Sequence, residues 1–175
     1  DLAIFRGLPN MTIIDPCDAH EIAQATHAIA AHKGPVYMRL LRGNVPLVLD
    51  EYGYTFELGK AKLIRDGNDV LVISTGLMTM RALEAAEKLR ADGIDVGVLH
   101  VPTIKPLDTE TIIAEAGRKG RLVVTAENHT IVGGLGSAVA ETLLEAGIAV
   151  GFARVGIRDT FAEGGSTPYL LSKYG

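Results

Sequence analysis

The sequence predicts a mixed α/β protein: a three-layer α/β/α domain with a mostly parallel sheet, preceded by an incomplete α/β remnant. Strand-like apolar runs alternate with helix-like stretches from residue 58 onward, the order that βαβ units require. Runs such as DVLVIS and RLVVTA are almost continuously apolar, as strands covered on both faces are. Residues 1–42, by contrast, hold too few strands and helices to enclose a core of their own.

Met11–Ile14 reads as a short strand that Pro16 stops. Asp18-Ala-His-Glu21 has the form of a capping box, with Asp18 accepting from the Glu21 N–H and the Glu21 carboxylate reaching back. The helix that follows places Ile22, Ala25, Ile29 and Ala30 near one face and ends at Gly34-Pro35, before a strand over Val36–Leu41. Residues 43–57 (GNVPLVLDEYGYTFE) carry three acids, no base and no clean periodicity, and read as a linker. Beyond it the pattern predicts strands at Ala61–Ile64, Val70–Thr75, Val96–Val101, Leu122–Ala126 and Val150–Val155. Helices are predicted at Thr79–Ala91, Thr109–Arg118, Leu135–Glu145 and Thr167–Lys173. Gly93, Gly120 and Gly147 suit the helix ends and Asp108 an N-cap, while Met78, Ala82, Ala86 and Leu89 recur at helical spacing and should face the sheet. The chain thus divides into 1–42, a linker at 43–57, and a domain over 58–175. The apolar positions Ile4, Phe5, Ile13 and Val36 of the first piece are expected to lie uncovered, which favours association or local mobility.

Composition narrows the function. With 175 residues, 47% hydrophobic, and a net charge of −4, the chain is folded rather than disordered. A single cysteine, Cys17, excludes a disulfide framework and a Cys-rich zinc site and fits a reducing compartment. No apolar run approaches the ~20 residues of a spanning helix, and no basic segment precedes an apolar stretch at the start. A pI near 5.7 argues against nucleic acid as the main partner. A cytoplasmic location, with neither membrane nor nucleic acid as a partner, is the expectation.

Two stretches offer anion chemistry. In Arg39-Leu-Leu-Arg42-Gly43-Asn44, an arginine beside a glycine at a strand's C-terminal end suits anion capture, although a regular strand would put Arg39 and Arg42 on opposite faces. The turn Glu127-Asn-His-Thr-Ile-Val-Gly133-Gly134-Leu-Gly136 could cradle phosphate on free N–H groups, or serve only a tight turn and close helix packing. It matches neither G-x-G-x-x-G nor a P-loop. Of His20, His27, His32, His100 and His129, helix-surface roles are expected, and only His129, in the glycine loop, invites attention. Residues 158–166 read as a structural loop. No nucleophile–base signature is present, so no catalytic, metal-ligating or cofactor-binding residue is assigned.

Taken together, several segments resemble the transketolase family. Asp1-Leu-Ala-Ile-Phe-Arg6-Gly-Leu-Pro9-Asn10, Asp15-Pro-Cys-Asp18, Gly34-Pro35 and Leu41-Arg42-Gly43-Asn44 resemble the second half of its pyrimidine-binding domain. Gly59-Lys-Ala, Pro102-Thr-Ile-Lys-Pro106-Leu-Asp108, Glu127-Asn-His129 and Gly133-Gly-Leu-Gly136-Ser-Ala resemble its C-terminal domain. The resemblance covers the whole chain and is nearest to the separate C-terminal subunit of split bacterial transketolases. It implies transfer of a two-carbon ketol unit between sugar phosphates, with thiamine diphosphate and Mg2+ held by segments outside this chain. It also implies a homodimer, an N-terminal section or subunit as partner, and no activity for this chain alone. Arg42 aligns with the arginine that binds the substrate's terminal phosphate, and Asn44 with the asparagine of the same segment. Leu41 and Gly43 depart from the Ser and Gln of many transketolases. The Arg39-x-x-Arg42-Gly43 pattern is shared with deoxyxylulose-phosphate synthases, which stay an alternative beside 2-oxoacid dehydrogenase E1 β-type subunits. A stand-alone dimerisation or anion-binding module is the non-enzymatic alternative.

Overall fold

The computed structural model describes residues 1–43, 45–118 and 120–174 of the chain. It opens on a one-turn helix, α1 (Leu2–Arg6), followed by strand β1 (Thr12–Ile14). Helix α2 (Ala19–Ala31) starts at the predicted cap, where Asp18 Oδ1 accepts from the Glu21 N–H at 3.0 Å. Strand β2 (Val36–Met38) is three residues shorter than predicted, and the segment after it contains a 3-10 turn at Leu49–Tyr52. Residues 43–57 connect the two pieces but are packed along the way, with Leu49 and Phe56 both buried.

From there the chain runs β3 (Lys62–Arg65), β4 (Val70–Ser74), α3 (Leu77–Ala91), β5 (Val96–His100) and β6 (Thr103–Lys105). It continues through α4 (Thr109–Ala116), β7 (Leu122–Thr130), α5 (Leu135–Glu145), β8 (Phe152–Ile157) and α6 (Thr167–Tyr174). The main sheet has the order β3-β5-β4-β7-β8, with β4, β5, β7 and β8 parallel and β3 antiparallel at one edge. Strand alternation then builds the layers. Leu71 and Ile73 point to the face covered by α4 and α5, joining Ile112, Val139 and Leu143. Val70 and Val72 point to the other face, where Ala82, Leu83 and Ala86 of α3 pack on Val96 and Val98. The predicted α/β/α sandwich is the observed one. Truncating Leu71 or Ile73, both fully buried, would cost about 2–5 kcal/mol each by removing contacts and leaving a cavity.

A second sheet joins the N-terminal piece to this domain. β1 lies in its middle, parallel to β2 on one side and antiparallel to β6 on the other. This corrects the expectation of an uncovered N-terminal face. Ile13 is fully buried in the same core as Leu71, and Phe5 stacks on Tyr37 with ring centroids 4.2 Å apart. Val36 is half-buried beside Ile14 and Ala25, and of the four only Ile4 stays largely exposed, at 72%. Among the described residues, no helix is long and apolar enough to cross a membrane.

Candidate functional site

The arginine segment begins where β2 ends. The Arg39 N–H still donates to the Ile14 carbonyl at 2.9 Å, after which the chain leaves the sheet. The Arg39 side chain turns inward. Its Nε and Nη2 donate to the two carboxylate oxygens of Asp15 at 2.8 and 2.6 Å, a fork-on-fork pair. Its Nη1 donates to the Asn128 carbonyl at 3.1 Å and its Nη2 to Asn128 Oδ1 at 2.5 Å. On the far side of the segment, Asp18 Oδ2 accepts from the N–H groups of Val48 and Leu49 at 2.9 and 3.0 Å. Burial opposes the charge on Asp18, but the N–H donors of Leu49, Val48 and Glu21 outweigh it and hold its carboxyl below the usual carboxylate range. Residues 40–47 therefore span two fixed points.

Between those points Arg42 is exposed, and among the described residues no carboxylate lies within ion-pair distance of it. It lines a cleft of about 710 Å³, together with Leu77 and Met78 at the start of α3, Glu127 and Asn128 on β7, and Leu170 on α6. The position is that of a ligand site in a parallel sheet, outside the carboxyl ends of β4, β7 and β8. Arg39 and Arg42 do not act as a pair, as expected, because one is an internal clamp and the other is exposed and, among the described residues, forms no ion pair. Asn44 lies outside the described residues.

The glycine turn is arranged otherwise. Gly134 precedes α5 and offers no side chain to cap it. Glu127 does so from β7: its Oε2 accepts from the Leu135 N–H at 2.8 Å and its Oε1 from the Gly136 N–H at 2.9 Å. The carboxylate stands where a bound phosphate would, and a Cβ on Gly134 would meet Glu127 Oε2 at 1.9 Å. Burial pushes the Glu127 carboxyl up, against the pull of these two donors and of Arg39. Arg6 braces the turn from outside, donating to the Gly133 carbonyl at 2.8 Å. Thiamine diphosphate does not fit here. The N–H groups of Gly133, Leu135 and Gly136 are already engaged, and among the described residues no group of three or more His, Cys, Asp or Glu is placed to hold a metal ion.

The histidines divide unevenly. His20 and His27 are exposed on α2, as expected, and His32 pairs with Thr12 Oγ1 at 3.2 Å. His129 sits next to the end of strand β7 rather than in the loop, with its Nδ1 donating to the Thr130 carbonyl at 2.8 Å. Burial holds its imidazole below the usual value. In the loop at 158–166, Ala162 and Gly165 border the cleft, and Glu163 accepts from Lys173 Nζ of α6 at 2.6 Å.

His100 is the residue that periodicity overlooks. It is fully buried, with Nε2 at 2.9 and 3.0 Å from the two oxygens of Glu21 and Nδ1 at 2.7 Å from Thr79 Oγ1. Tyr54 donates its hydroxyl to Glu21 Oε1 at 2.6 Å, and the Cys17 N–H donates to Oε2 at 2.6 Å. Glu21 thus reaches back one residue further than a standard capping box, to Cys17 rather than Asp18. Burial, followed by the Glu21 charge, raises both the Tyr54 and the Cys17 pKa, so neither ionises near neutrality. This network joins the N-terminal piece, the connecting segment and the main sheet, and its groups satisfy one another. The capping box was the only local signal for it, since Glu21 and His100 are 79 residues apart.

Residues 59–175 match the family profile described as the C-terminal domain of transketolase. A putative uncharacterized transketolase family protein of Sinorhizobium fredii is 69% identical over the whole chain, which covers 51% of that protein. The 6-deoxy-6-sulfo-D-fructose transketolase subunit of a Clostridium species is 48% identical over the whole chain, covering 53% of it. The chain therefore spans about half the length of these curated relatives. A 1-deoxy-D-xylulose-5-phosphate synthase of Heliobacterium modesticaldum is 37% identical, with 27% of its length covered. Among solved structures, a split-gene transketolase described as an inactive beta4 tetramer superposes with a TM-score of 0.91 at 43% identity. That match covers 99% of this chain and 56% of the other. A Pichia stipitis transketolase, 20% identical with a TM-score of 0.76, shares the fold. The profile over two thirds of the chain and the relatives over all of it place the protein in the transketolase family, as a C-terminal section.

Proposed function

We propose that this chain is the C-terminal section of a transketolase-type transferase that moves a two-carbon ketol unit between sugar phosphates, and that Arg42 holds the substrate's terminal anion. Residues 1–42 are read as the end of the pyrimidine-binding domain, 43–57 as a packed connection and 58–175 as the C-terminal domain. The observation that carries the reading is the exposed Arg42 guanidinium, held between two anchored backbone points at the mouth of the cleft. A planar fork in that position donates two charge-assisted bonds to a phosphate, which a lysine cannot reproduce. Asn44, beside it in sequence, is proposed as its neighbour in the same subsite.

Thiamine diphosphate and the divalent metal belong to the remainder of the protein, since the glycine turn of this chain is filled by Glu127. The catalytic apparatus is therefore completed by an N-terminal section or subunit, in a cytoplasmic assembly built on a homodimer. The split-gene neighbour, described as an inactive beta4 tetramer, supports this division.

The test is Arg42→Ala in the complete enzyme. Losing a charged hydrogen-bond partner costs roughly 1.5–3 kcal/mol, or ~10–150-fold in KM for phosphorylated substrates, with little change for unphosphorylated analogues. A kcat/KM within about twofold of wild type would remove Arg42 from the substrate site. Assays with either a ketose phosphate or pyruvate as donor, each with an aldose phosphate acceptor, separate ketol transfer from the synthase alternative, and turnover with the pyruvate donor only would favour the latter.

A further inference from the structure

The guanidinium of Arg39 joins the two parts of the chain, and Arg42 is only three residues away. Leu40 and Leu41 alone separate the two arginines, so their Cα atoms lie within about 10 Å of each other at full extension. The position of Arg39 therefore limits where the backbone of Arg42 can lie. Arg39 is fixed from both sides: by Asp15, fully buried after β1, and by the carbonyl and side chain of Asn128 on β7. Four of the five N–H donors of Arg39 are taken up by these two residues, and its side chain is only 13% exposed. Asn128 follows Glu127, whose carboxylate fixes the start of α5, so the end of β7 is rigidly tied to the C-terminal domain.

We infer that Asn128 and Arg39 are positioning residues for the Arg42 anion subsite, through which the C-terminal domain sets the affinity for the substrate's terminal anion. This rests on the reading of Arg42 given above. It assigns that domain a part in substrate capture without placing any of its atoms on the substrate. Asp15 anchors the guanidinium from the N-terminal side. Asn128 sets its orientation from the other, and Arg42 inherits that orientation.

A clamp that merely glues the two pieces together would also tie Arg39 to Asn128, so the experiment must separate the roles. In the complete enzyme, Asn128→Ala removes the Oδ1 acceptor and leaves the carbonyl. KM for a phosphorylated acceptor should rise roughly three- to tenfold, by more than kcat falls, and inhibition by inorganic phosphate should weaken in parallel. Asn128→Asp, which keeps the oxygen, should restore KM. In an Arg42→Ala background, Asn128→Ala should change KM no further, because the residue it positions is gone. Equal effects of Asn128→Ala in both backgrounds, or a lowered Tm with unchanged KM, would overturn the inference while leaving Arg42 in place. If Arg42→Ala itself has no effect on KM, the reading of Arg42 fails first and this inference falls with it. Should Asn128→Ala not assemble, Asn128→Ser takes its place in the same cycle.

Discussion

The glycine turn at 133–136 and the loop around Arg42 both have the composition of an anion site, and Glu127, which fills the first, lines the same cleft as Arg42. In one the anion is already present, as the carboxylate of Glu127 on the N–H groups of Leu135 and Gly136. In the other the charge is left open, because the nearby carboxylates of Asp15 and Asp18 are taken by Arg39 and by the backbone of Val48 and Leu49. The difference lies in what satisfies the donors, not in how many there are. A Gly-rich strand-to-helix turn is a ligand site only when the strand before it supplies no acceptor of its own.

Removing the internal anion is the most direct way to break this contrast. Glu127→Ala strips the partner from two buried N–H groups and should destabilise the protein by roughly 2–4 kcal/mol. That corresponds to about 5–15 °C in Tm for a chain of this size. Glu127→Gln, which keeps one acceptor oxygen, should cost about half as much, and calorimetry on both variants would check the order. Gly134→Ala comes next, because its Cβ would meet the Glu127 carboxylate. It should lower Tm on its own and add little to Glu127→Ala, a non-additivity that would be lost if the clash were elsewhere.

A ligand test sharpens the same point. Titration with inorganic phosphate should leave the amide resonances of Leu135 and Gly136 unmoved in the wild-type chain. Movement at those two amides, rather than near Arg42, would show the turn to be open after all.

The smallest effect expected is in the pH dependence of stability, where the carboxylates have opposite signs. Asp18 is held below its unfolded value, so its contribution is present above about pH 4 and is lost as the pH falls through its folded pKa. Asp108 behaves likewise: burial resists its charge, but the N–H groups of Ala61 and Thr111 and the Thr111 hydroxyl prevail. Glu127 is raised, so its contribution is full below about pH 4.3 and declines as the pH rises through its folded pKa. Denaturant unfolding across pH 3–7 should therefore show a shallower acid limb for Asp18→Asn. Glu127→Gln should instead remove the decline above about pH 4.3. Identical slopes in the two variants would contradict these opposite assignments.

What sequence reading recovered, it recovered through short-range partners. The caps at Asp18 and Asp108 bond to N–H groups three residues on, and α5 begins and ends where the pattern placed it. Strand alternation at Leu71–Ile73 separates the two core faces as expected. The failures are short or non-local elements. α1 and β6 are too brief for periodicity to register, and β7 runs four residues beyond its apolar stretch because Thr130 still pairs with Ile157. The filling of the glycine turn hid in plain view, since Glu127 is eight residues before Leu135 and only a β-to-α reversal brings them together. For Glu21 and His100 nothing local signals the contact, because two separate sheets must assemble before it exists.

The placement of β1 between β2 and β6 bears on how such a gene can be cut. A strand with a neighbour from each part of the chain acts as a seam, and dividing the polypeptide in the connecting segment would open it. A protein begun at residue 58 would leave β6 as a bare edge and remove Leu2 and Ile13 from the core they share with Leu71 and Val123. The family profile starts at residue 59, but the hydrophobic core of that region also takes in Leu2 and Ile13, well before it. Expression trials that follow the profile boundary should yield aggregating material, whereas those that keep α1 and β1 should yield a folded chain.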